Sequence, residues 1–146
     1  MIFEYRAKDV YKGEWIYGDL YRTNPEPDST SSYKINNNLI NSNTISIYLN
    51  YKDNNDKKIY SYDIIKLNKE TYLIYYNIKQ CTFGLLKLND LYVKLFKNNL
   101  QYITMIPEKD WWINNINDIT VIGNMFDNKE LLNGLIYDDL ITLFYK

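Results

Sequence analysis

Histidine is absent from the 146 residues, cysteine occurs once, proline three times and glycine five times. Lack of histidine removes the commonest general base and the commonest zinc ligand. Ser–His and Cys–His nucleophile arrangements are excluded with it. The lone Cys81 can form neither an internal disulfide nor a cysteine-rich zinc site, and its apolar neighbours in "QCTFGLL" predict a buried thiol in a reducing cytoplasm. No metal and no cofactor are expected. The glycines at 13, 18, 84, 123 and 134 are dispersed, so no phosphate-cradling loop exists.

Long apolar runs are missing too. Nothing approaches the roughly 20 residues that span a bilayer, and "MIFEYRAKDV" places charges where a signal peptide needs its apolar segment. A soluble, cytoplasmic protein without membrane contact is the expectation. Net charge is −1 and the pI near 5.4, which gives no global attraction to nucleic acid.

What is abundant is Asn, Lys, Ile and Tyr, the residues of A- and T-rich codons. The 16 tyrosines are read as codon bias before they are read as a binding surface. Alternation with period two marks strands in "EWIYGDLYR", "TISIYLN", "KIYSYDIIKL" and "TYLIYYNIK", the last two joined by a hairpin connection, "NKE". The first two-thirds of the chain therefore reads as a β meander. Residues 23–43 form a loop-rich insertion that holds two of the three prolines. "PEKDWWINN" is too short to stand alone as a helix. Apolar residues at Leu131, Leu132, Leu135, Ile136, Leu140, Leu143 and Phe144 fall on one helical face, predicting a C-terminal helix over 127–145, started by Asp127 or Asn128 and weakened at Gly134.

Three pieces, "GEWIYGDL", "DNNDKKIYSYDIIKL" and "ITVIGNMFDNKELL", resemble in this order and spacing the YopX family of phage and prophage proteins. The family carries an early W-x-Y-G-D-L, a central K-x-I-Y-E-G-D-I-V and a late V-I-G-N-I-Y-E-N-P-E-L-L. The resemblance covers most of residues 3–132. It implies a single small β-rich domain over 1–146 with an SH3-like barrel, phage or prophage origin, and no established activity. Tyr62 stands where the family has glycine, so no glycine-specific backbone angle is expected there. The matching Trp15, Gly18, Asp19, Asp63, Gly123 and Asn124 read as structural: the glycines as bulges or close backbone approaches, the aspartates as acceptors for neighbouring amides.

Candidates for function lie elsewhere. Lys57, Lys58 and Lys66 near Tyr60 and Tyr62 suggest a nucleic-acid surface, although Asp53, Asp56, Asp63 and Glu70 offset the charge. Trp111 and Trp112 cannot share one face; Trp112, four residues before Ile116, should be the buried ring and Trp111 a partner-binding one. The leading expectation is a non-catalytic phage accessory protein that binds and modulates a host bacterial protein, such as one of a defence system. Binding of nucleic acid or a nucleotide signal is one alternative, and a carboxylate-based enzyme, from pairs such as Asp138 and Asp139 or Glu14 and Asp19, is another. A homo-oligomer, formed by strand addition at a sheet edge, is compatible with each.

Overall fold

The structure, a computed structural model, describes residues 3–23, 32–89, 93 and 104–145, the side chains of 104, 142, 143 and 145 excepted. Two compact units divide the chain, residues 1–50 and 51–146. The protein is mainly β, built from antiparallel sheets with short helices.

In the first unit, β1 (Tyr5–Lys8) and β2 (Trp15–Gly18) form a hairpin in which Lys8 faces Trp15. Asp9 closes its turn: the backbone amides of Lys12 and Gly13 both donate to Asp9 Oδ1. β1 also pairs with the start of β6 (Ser46–Lys52), while β3 (Leu20–Arg22), β4 (Tyr33–Ile35) and β5 (Asn38–Leu39) form a separate sheet. "EWIYGDLYR" is thus two strands rather than one. Gly18, at φ 148°, turns the chain out of one sheet so that Leu20 can pair in the other. The expected loop region is also more ordered than its composition suggests, since β4, β5 and the start of a 3-10 turn (Ser42–Thr44) lie within it; 24–31 fall outside the described residues. Ala7, Ile35 and Ile40 are the buried centre of this unit.

The second unit is built on a sheet in the order β11-β10-β9-β8-β12. Its strands are β8 (Asp63–Leu67), β9 (Glu70–Asn77), β10 (Thr82–Lys87), β11 (Thr104–Met105) and β12 (Ile119–Asn124), with β7 (Lys58–Tyr60) ahead of them. "NKE" makes the expected hairpin, Leu67 facing Glu70 across Asn68 at φ 56°. β8 is buried on both faces, with Ile64 and Ile65 both at 0% exposure, so both sides of the sheet are covered. One side packs on Leu132, Leu135, Leu140 and Phe144 from the C-terminal segment.

That segment is not one helix. A 3-10 turn (Lys129–Leu132) ends at Asn133 and Gly134, whose φ angles of 53° and 89° are left-handed, and α2 (Tyr137–Tyr145) begins afterwards. The apolar spacing survives the break because Leu132 and Leu140 enter the same core from two elements; the Leu143 side chain lies outside the described residues. Asp139 Oδ2 accepts from the Ile136 amide and holds the start of α2. "PEKDWWINN", conversely, does form a helix, α1 (Lys109–Asn115), anchored by the buried Trp112. Cys81 is exposed rather than buried, because it occupies the β9–β10 turn with φ 50°. No described helix is long and apolar enough to cross a membrane.

Candidate functional site

The central and late motifs converge in the second unit. β8 and β12 bring Asp63 opposite Asn124, and the register slips between Val121 and Gly123, the bulge expected at that glycine. Around it the short polar side chains serve the backbone. Asp63, 1% exposed, accepts from the Tyr60 amide at 2.8 Å. Asn124 Oδ1 accepts from the amides of Phe126 and Asp127, while Asn128 Oδ1 accepts from the Asn124 amide. Gly123 is required by proximity: a Cβ there would stand 2.5 Å from Asn128 Oδ1.

Tyr62 lies in the same knot with φ 68°, the left-handed angle that the family's glycine would adopt freely. A ring replaces that freedom. It packs on Phe126 at 5.8 Å and Phe144 at 5.1 Å between centroids, and the Tyr62 carbonyl accepts from the Met125 amide.

Sequence reasoning missed Asp53. It treated this residue as one of the carboxylates offsetting the lysines, yet Asp53 is 7% exposed and accepts three amides, those of Asn55, Lys57 and Val121, each at 2.9 Å. One carboxylate thereby closes the 53–57 turn and ties it to β12. An aspartate heading a polar turn is the available signal; the long-range bond to Val121 has none.

The early motif lies in the first unit. Trp15 is half-buried with the Arg6 guanidinium 4.5 Å and the Lys8 ammonium 5.4 Å from its ring centroid. Asp19 is exposed at the strand break and makes no hydrogen bond to the neighbouring amides, so its expected role falls to Asp9 on the other side of the hairpin.

The candidate nucleic-acid residues do not assemble into an aromatic platform. Lys57 and Lys66 are exposed and Lys58 half-buried, but Tyr60 is 3% exposed and Tyr62 belongs to the ring cluster just described. The cation positions exist without exposed rings between them.

Trp111 and Trp112 separate as helical geometry requires. Trp112, 5% exposed, stacks on Tyr51 at 5.2 Å with an interplanar angle of 14°. Trp111 is half-buried and meets Trp112 edge to face, at 5.1 Å and 89°. The Asn115 side chain donates to the Trp111 carbonyl. Tyr51 thus supports the pair from β6. Among the described residues no group of His, Cys, Asp and Glu is placed to hold a metal ion.

These features define a small antiparallel-β protein whose motif residues brace turns and bulges and which carries a half-buried tryptophan, Trp111, on a short helix. The chain belongs to the YopX family: the model for the YopX protein family matches residues 4–133, across both units. Membership suggests a protein of phage type. No curated protein matches the chain.

Proposed function

We propose that this is a non-catalytic accessory protein of a phage or prophage that binds and modulates a host bacterial protein in the cytoplasm, a component of a defence system being the target class. The observation that supports this reading is Trp111, a half-buried ring on a short helix that meets Trp112 edge to face while Trp112 itself stacks on Tyr51. A preoriented aromatic loses little freedom on binding, which is what an interface anchor needs. We also read the second unit as SH3-like: β12, entered from the 3-10 turn Ile116–Asp118, returns to pair with β8, the start of the meander.

Affinity capture from a host lysate with wild type, Trp111→Ala and Trp112→Ala tests the role of the anchor. Trp111→Ala should lose about 2 kcal/mol of binding or more, roughly thirtyfold, with little change in melting temperature. Trp112→Ala should instead lose about 3–5 kcal/mol of stability. A folded Trp111→Ala protein that captures the same partner at wild-type strength overturns the reading.

A further inference from the structure

The surface around Trp111 has a chemical sign. Glu108 caps the start of α1 in an extended conformation, Trp111 and Asn115 lie one turn apart on one side of the helix, and Asp118 ends the 3-10 turn that continues it. Glu108 and Asp118 are exposed, Trp111 and Asn115 half-exposed. Neither carboxylate forms an ion pair with any described residue. From Pro107 to Asp118 the chain carries Glu108, Asp110 and Asp118 against one lysine, Lys109.

We infer that this stripe receives a basic segment of the partner protein, with an arginine side chain stacked on Trp111 and its neighbouring cations against Glu108 and Asp118. The inference rests on the binding role proposed for Trp111 and adds the chemistry of what it binds. Three physical terms act together. A guanidinium is attracted to the indole face, it is weakly hydrated and so gives up water readily, and carboxylates on either side favour the same charge. A lysine-rich or acidic segment fits less well. Ammonium is more strongly hydrated, and an acidic segment would meet like charge at both ends of the stripe.

The probe is a hexa-arginine peptide, with hexa-lysine and hexa-glutamate as comparisons, titrated by calorimetry at low and high salt. Hexa-arginine should bind more tightly than hexa-lysine, lose affinity with salt, and weaken about fivefold in Trp111→Phe or Trp111→Ala and in the double variant Glu108→Gln/Asp118→Asn. Hexa-glutamate should not bind. Hexa-arginine binding that is unchanged in either variant, or absent from the wild type, overturns the inference. Capture of the host partner by the same variants separates the two levels. If Trp111→Ala loses the partner while Glu108→Gln/Asp118→Asn keeps it in full, the anchor stands and the basic-segment inference falls; if both keep it, the anchor itself falls. A wild-type dimer in sedimentation that the double variant dissociates assigns the stripe to a second copy of the chain and likewise overturns the inference.

Discussion

Replacing Asp53 by alanine would strip the amides of Asn55, Lys57 and Val121 of their acceptor at once. Hydrogen bonds to a charged acceptor are worth more than neutral ones, and amides left dry are costly, so a loss of about 2–4 kcal/mol is expected in chemical denaturation. Asp53→Asn retains one acceptor oxygen and should fall between the variant and wild type. Gly123 offers a second test, because an added side chain must displace Asn128 from the Asn124 amide. Gly123→Val should cost about 1–3 kcal/mol, and removing the obstacle with Asn128→Ala should make the two changes non-additive in a double-mutant cycle. Strict additivity would mean that the clash is not what requires glycine. At Tyr62 two terms oppose each other. Tyr62→Gly relieves a left-handed angle, worth about 1 kcal/mol, but removes a ring packed on Phe126 and Phe144, worth about 3–5 kcal/mol, so the variant should melt lower.

At the scale of elements, the C-terminal segment makes opposite predictions for a continuous helix and for the broken one observed. Gly134→Ala would stabilise a continuous helix by about 1 kcal/mol. In the structure Gly134 has φ 89° between the 3-10 turn and α2, a conformation costly for any residue with a Cβ, so the same change should destabilise by about 1–2 kcal/mol. Thermal melting of this one variant decides by its sign. The edge strand β12 shows a related economy of local means. Asn54 donates its amide to the Ile119 carbonyl and Asp53 accepts from Val121, so a turn rather than another strand covers part of its outer edge.

For the molecule as a whole, the two units have unequal interiors. The first is centred on Ala7, Ile35 and Ile40, whereas the second buries a cluster running from Ile64 through Leu73 and Leu86 to Phe144. Opening free energy follows buried apolar area, so amides of β8, β9 and β10 should exchange most slowly in native-state hydrogen exchange, and those of β3–β5 markedly faster. Equal protection in the two units would show that they open as one.

The amino-acid sequence by itself determined the mainly β class, the 67–70 hairpin, the bulge at Gly123 and the burial of Trp112 ahead of Trp111, since each follows from local periodicity or from the angle between adjacent side chains. Family membership was legible in three motifs for the same reason: residues that brace turns do so at fixed local spacing. Tertiary structure decided the rest. Periodicity cannot distinguish one helix from two elements that enter a common core, and it reads two strands of different sheets, Trp15–Gly18 and Leu20–Arg22, as one. Composition cannot tell a buried cysteine from one placed in a turn. The bonds that give Asp53 its role and the ring that supports Trp112 both join residues far apart in the chain, Asp53 to Val121 and Tyr51 to Trp112. No local pattern encodes such pairs; they exist only after the sheet has closed the distance.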